Sequence, residues 1–198
     1  MNKGSFSSLL QNAIASHRQA IDALADTLGG SDSQLERIAN IWNDSLVAGG
    51  RIIFVGNGGS AADAQHLAAE LVVRFRKNRP ALPGLALTTD TSVLTACAND
   101  LGFEKVFARQ IEAFGRSGDV LVAISTSGKS PNILKAAQTA REMKLKVIVF
   151  CGRAAGPLQQ FADAILAVPS EITAHIQECH MICGHALCEW VEQNCPCP

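Results

Sequence analysis

Arg51-Ile52-Ile53-Phe54-Val55-Gly56-Asn57-Gly58-Gly59-Ser60 is the stretch that decides the fold. A short apolar run ends there in a glycine turn, and the residues that follow, Ala61 to Phe75, read as a helix. Strand, phosphate-sized turn and helix N-terminus therefore come in sequence. On that helix His66 and Glu70 stand at i and i+4, so their side chains share one face about one turn apart. An imidazole and a carboxylate projecting together near an anion-friendly backbone form a candidate active site.

Upstream, Phe6 to Leu28 places Leu9, Leu10, Ile14, Ile21, Leu24 and Leu28 close to a helical period, and Gly29-Gly30 ends it. Ser31 or Ser33 caps a second helix, Gln34 to Ala48, closed by Gly49-Gly50. Downstream, Pro80 and Pro83 precede a short strand, Gly84 to Leu87, and a helical stretch through Cys97. A helix around Lys105 to Phe114 comes next, then the strand Asp119 to Ile124, a helix starting at Pro131 and the strand Lys146 to Phe150. A weaker strand, Ala164 to Val168, and a long helix, Thr173 to Asn194, complete the chain.

Short apolar strands alternating with helices imply right-handed crossovers and a parallel sheet covered on both faces. The expected fold is α/β, a three-layer αβα sandwich with a parallel, flavodoxin-like sheet preceded by two N-terminal helices. Ligands bind such sheets outside the carboxyl ends of the strands, at the switch point. That directs attention to Gly56 to Ser60, Thr88 to Asp90, Ser125 to Ser130 and Cys151 to Gly156.

A chain of 198 residues, 47% hydrophobic, is close to one domain's worth. Its net charge of −1, with both signs scattered, argues against a nucleic-acid footprint or a polybasic membrane surface. No apolar run approaches the roughly 20 residues of a membrane span, and the N-terminus lacks the pattern of a secretory signal. A cytoplasmic protein without nucleic-acid or membrane partners is expected. Of the seven cysteines, Cys97, Cys151, Cys179, Cys183 and Cys188 lie in apolar segments and read as reduced core thiols, while Cys195 and Cys197 sit in a proline-punctuated tail. A zinc site from Cys179, His180 and Cys183 is the competing reading, without the second Cys-x-x-Cys pair that would make it strong.

Ser125-Thr126-Ser127-Gly128-Lys129-Ser130 is the second signal. It follows a strand and precedes Pro131, well placed in a helix's first turn. Four hydroxyls, a glycine and a helix N-terminus suit a phosphate monoester. Helix capping is the bland alternative, but a cap needs one hydroxyl. Two nucleotide readings compete. Gly56-x-Gly58-x-x-Ala61 fits a dinucleotide fingerprint, yet the acid expected about 20 residues on is replaced by Phe75, Arg76 and Lys77. A Walker A loop fails, because Gly128-Lys129-Ser130 has no glycine five residues before its Gly-Lys pair.

GNGGSAADAQH, LTTDTSVLTACAND, ISTSGKSPNIL and HIQECHMICGH resemble the corresponding segments of the sugar isomerase (SIS) domain family and, within it, the phosphoheptose isomerases. The likeness covers nearly the whole chain as a single SIS domain, with residues 1–50 for oligomer packing and 51–198 as the α/β core. It implies conversion of sedoheptulose 7-phosphate to D-glycero-D-manno-heptose 7-phosphate, the entry to bacterial heptose biosynthesis, by a homotetramer that often carries zinc. It puts the sugar against Asn57, Gly58, Gly59 and Ser60 and the phosphate on Ser125, Thr126, Ser127 and Ser130. Asn99 and Asp100, after a Thr91 to Ala98 helix, would meet sugar hydroxyls, and Gln177 the substrate. Glu70 and His185 take the proton-transfer roles, and His66, Glu70, Gln177 and His185 match the metal positions.

The chemistry suits those residue types. Exchanging a ketose for an aldose moves a proton between carbons through an enediol, which asks for a base and an acid; Glu70 is assigned to carbon and His185 to oxygen. Gln177 and His185 are eight residues apart, about 12 Å along a straight helix. Either both lean inward within one chain or a neighbouring subunit supplies one set. Taken alone, His66 and His185 also read as satisfied surface or core histidines, and His175 and His180 match no catalytic position. Some relatives carry an acid three residues before the glutamine, where Ala174 stands. A non-catalytic relative that tethers the bacterial replication initiator lacks the residues at Glu70 and His185, and other phosphosugar isomerases of this fold share the machinery.

Overall fold

A computed structural model describes residues 5–28 and 33–194. Gly29 and Gly30, expected at the first helix's end, Ser31, one of the two caps expected for the second, and the Cys195/Cys197 tail lie outside the described residues. Two helices, α1 (Phe6–Thr27) and α2 (Gln34–Val47), come first; Ser33 caps α2, its hydroxyl accepting from Glu36 N at 3.2 Å. There follow β1 (Ile52–Gly56), α3 (Gly59–Val72), β2 (Gly84–Ala86), α4 (Thr91–Leu101), α5 (Ala108–Phe114), β3 (Val120–Ser125), α6 (Pro131–Glu142), β4 (Lys146–Cys151), β5 (Ala164–Ala167) and α7 (Thr173–Asn194).

All strand pairs are parallel, in the order β2-β1-β3-β4-β5, with Ile52 opposite Val120 and Val120 opposite Lys146. This is the flavodoxin-like order, whose switch point falls between β1 and β3. β1 and β3 are buried at every position, the near-continuous apolar reading of a strand covered on both faces. Alternation then divides them. Ile52, Phe54, Val120, Val122 and Ile124 join the core under α2, α3 and α7, while Ile53, Val55, Leu121 and Ala123 join that under α4, α5 and α6. Trp42 of α2 meets Phe54 edge-on at 5.5 Å, an aromatic contact contributing about 1 kcal/mol beyond area burial.

The element expectations hold, with differences at their ends. α3 stops at Val72 rather than Phe75, because the Glu192 carboxylate accepts from the amides of Phe75, Arg76 and Lys77 at 2.7, 2.8 and 3.0 Å and replaces the helical ladder there. α4 runs to Leu101, so Asn99 and Asp100 lie in its last turn rather than after it. On α1 only Ala20 and Leu24 are buried; Phe6, Leu9, Leu10 and Ile14 are exposed. No described helix is long and apolar enough to cross a membrane.

Candidate active site

The two loops at the switch point are tied together. Asn57, after β1, and Asn132, in the first turn of α6, exchange amide hydrogen bonds of 2.9 and 2.8 Å. The Asn57 side chain is therefore engaged by Asn132, a buried residue that sequence reasoning missed because the pair is 75 positions apart. Gly58 turns the chain at φ +55°, where a side chain would be strained, and the space beside it is open. Gly59 and Ser60 then begin α3.

At the end of β3, Ser125 Oγ lies 3.3 Å from Ser130 Oγ, and Ser127 Oγ accepts from Lys129 N at 3.3 Å. Ser130 occupies the N-cap of α6, yet its side chain makes no capping bond, and Pro131 fills the first turn. The capping reading of this loop thus fails at the residue meant to carry it. Thr126 and Ser127 open onto a cavity of about 360 Å³ that Lys129, Arg153, Ser170 and Thr173 also line. Lys129, within the hydroxyl loop, and Arg153 bring positive charge that the local reading had not required, while Glu171 lines the same cavity and lies 3.7 Å from Arg153 Nε.

The third component joins α3 and α7. A Cβ at Gly184 would sit 2.6 Å from Leu67 Cδ2, so at this close approach any side chain there must displace the buried Leu67 or push the helices apart. The approach brings His185 Nε2 to 3.0 Å from His66 Nε2, while His66 Nε2 lies 3.1 Å from Glu70 Oε1. One ligand atom from each of the three lies within 4.8 Å of the others. A tetrahedral metal with 2.0–2.1 Å bonds has ligand–ligand edges of ~3.3 Å, and the two edges at His66, 3.0 and 3.1 Å, are close to that, so two imidazoles and a carboxylate form a donor set suited to zinc. Gln177 points towards the start of α3: its amide donates to Ser60 Oγ at 3.5 Å and rests against Gly59. Both α7 residues lean on α3 of their own chain. Asn99 donates to Asp100 Oδ1 at 2.7 Å, exposed, and neither hydrogen-bonds to the other predicted site residues.

Burial and the facing His66 lower the pKa of His185 against the opposing pull of Glu70. Asp63, one turn before His66, is pushed up to about 6 by burial, with His66 opposing, and its buried Oδ2 has no hydrogen-bond partner among the described residues. It lines a cavity of about 380 Å³ with His17, Gln177, Glu178, Met181 and His185. Asp63 is a residue the sequence reading passed over; its signal was an i−3 spacing to His66 on the same helix. The alternative zinc set does not assemble. His180 is buried with Nε2 donating to the Cys151 carbonyl at 3.0 Å, and burial raises the Cys179 thiol and pushes Cys183 to about 12, far from the thiolate a metal needs. All five described cysteines are buried and free.

A parallel sheet in this order, with a hydroxyl loop at its switch point and a His–Glu–His cluster between α3 and α7, is the architecture of the sugar isomerase class, and the SIS domain model matches residues 14–152. The chain belongs to the SIS-domain family. Within it the likeness is to phosphoheptose isomerases: 55% identity to that of Paramagnetospirillum magneticum, covering 94% of this chain and 96% of the relative, and 49% to that of Akkermansia muciniphila, covering 95% and 97%. Among solved structures, the phosphoheptose isomerase of Neisseria gonorrhoeae superposes with a TM-score of 0.88 at 39% identity, over 96% of this chain and all of that one. That of Francisella tularensis gives 0.90 at 36% identity, with the same coverage.

Proposed function

We propose that this enzyme, an aldose–ketose isomerase, converts sedoheptulose 7-phosphate to D-glycero-D-manno-heptose 7-phosphate, the first step of bacterial heptose biosynthesis. The observation that carries the reading is the meeting of Glu70 and His185 at His66, in a chain that also holds a hydroxyl loop suited to a phosphate at the end of β3. The Ser125, Thr126, Ser127 and Ser130 hydroxyls hold the phosphate, with Lys129 and Arg153 adding positive charge. The backbone at Asn57 to Ser60, with Gln177 next to it, receives the sugar, and Asn99 and Asp100 contact its hydroxyls.

Glu70 removes a proton from C1 of the ketose as His185 gives one to the C2 oxygen, which leaves an enediol. His185 then takes the proton from the C1 oxygen, and Glu70 returns its proton to C2. The aldose results with no net gain or loss. Zinc, held by His66, Glu70 and His185 with Gln177 nearby, would supply positive charge to the enediolate oxygens when bound. Four chains assemble around the exposed apolar side of α1 in the cytoplasm, each a single SIS domain.

Glu70→Gln abolishes turnover of sedoheptulose 7-phosphate while phosphate-ester binding persists; near-normal turnover refutes the role of Glu70. A panel of pentose, hexose and heptose phosphates fixes the substrate. Conversion of arabinose 5-phosphate or fructose 6-phosphate alone would reassign the enzyme to another phosphosugar.

A further inference from the structure

Nothing among the described residues hydrogen-bonds to His185 Nδ1. An imidazole that works through one nitrogen is ordinarily held by a hydrogen bond at the other. Here its neighbours are rings. His66 lies 5.0 Å away at 53°, and Phe75 lies flat against it, centroids 5.3 Å apart and planes within 17°. A flat contact fixes the plane of the imidazole, and with it the direction of Nε2 towards His66 and Glu70.

Phe75 is itself held with unusual firmness for a residue in an irregular segment. Its amide donates to Glu192 Oε1 at 2.7 Å, and the next two amides donate to Oε2. Arg79 closes the arrangement: Nε donates to Glu192 Oε1 at 3.0 Å, while its two terminal nitrogens donate to the carbonyls of Leu71 and Glu70, each at 2.8 Å. The Arg79 and Glu192 side chains are only 4% and 1% exposed. Glu192 stands seven residues after His185, two turns along the same face of α7. One buried ion pair therefore fixes the Glu70 end of α3, the backbone that carries the Phe75 ring and the helix that carries His185.

We infer that Phe75, anchored by the Glu192–Arg79 pair, is the positioning residue that orients His185 for proton transfer. This rests on the catalytic reading of His185 given above. The ring has no group that could carry a proton or bind a metal; it acts by restricting the imidazole to the rotamer facing Glu70. Loss of the flat ring lets His185 turn about its free Nδ1 side, and misorientation lowers kcat without weakening capture of the phosphate.

The test compares Phe75→Leu, which keeps apolar volume without a plane, with Phe75→Tyr, which keeps the plane. Kinetics with sedoheptulose 7-phosphate are measured alongside spectra of histidine labelled at the imidazole carbons. Phe75→Leu lowers kcat roughly 10- to 100-fold, the usual effect of removing an orienting contact, with KM nearly unchanged, and the His185 signal loses its ring-current shift. Phe75→Tyr restores both. Phe75→Met replaces the leucine variant if that one does not fold. Unaltered kcat in the leucine variant, or an equal loss in the tyrosine variant, overturns the inference. A wild-type protein inert towards the heptulose phosphate overturns the functional reading instead. A crystal structure of Phe75→Leu then decides: an imidazole of His185 turned away from His66 supports the positioning role, and one whose Nε2 still faces His66 refutes it.

Discussion

His180 offers a prediction whose size follows from its surroundings. It lies on α7 between Gln177 and His185, fully buried, with Nε2 donating to the carbonyl at the end of β4 and Nδ1 unpartnered. Burial lowers its pKa from 6.5 to about 4, only partly offset by the bond to Cys151. Because the folded-state value lies below the unfolded one, the unfolded chain binds more protons between these limits, and stability falls as pH drops from about 6.5 towards 4. At 1.36 kcal/mol per unit, protonation linkage removes roughly 2–3 kcal/mol by pH ~4.5 and almost nothing above pH ~7.5. His180→Gln keeps a donor for Cys151 but cannot titrate. Urea unfolding at about pH 7.5 and 4.5 therefore shows a loss on acidification about 2–3 kcal/mol larger in the wild type than in the variant. Since α7 carries Gln177 and His185, the wild type also loses activity by unfolding on the acid side before the variant does. Equal acid losses in both proteins would refute the assignment of His180 as a neutral tie between α7 and the sheet.

Gly184→Val forces side-chain atoms into Leu67, a fully buried residue; overpacking of this kind costs about 1–3 kcal/mol. The helices separate, kcat falls with the His66–His185 distance, and a crystal structure that keeps the 3.0 Å approach in a fully active variant would refute this account. Zinc removal by a chelator lowers the melting temperature of the wild type but not of His66→Gln. Identical melting of loaded and stripped wild-type protein would exclude zinc at this cluster.

Local pattern determined a great deal. The alternation of short apolar runs with helical periods specified the layers and the parallel sheet, because strand and helix periodicities are written in neighbouring residues. His66 and Glu70 share a face through their spacing alone, and the Ser125 to Ser130 loop announces itself by composition. What sequence could not decide depends on how closely distant elements approach. His185 meets His66 across 119 positions only because Gly184 has no side chain to hold α7 off Leu67. Gln177 reaches Ser60 because α7 packs against α3, and Asn57 gives its amide to Asn132 through loops that converge only when β1 and β3 pair. Phe75, Arg76 and Lys77 read locally as the missing acid of a nucleotide fingerprint. In the folded chain their amides grip Glu192, and Phe75 lies against His185. Short-range periodicity names the elements and their faces; the sizes of the side chains between two helices determine which functional groups meet.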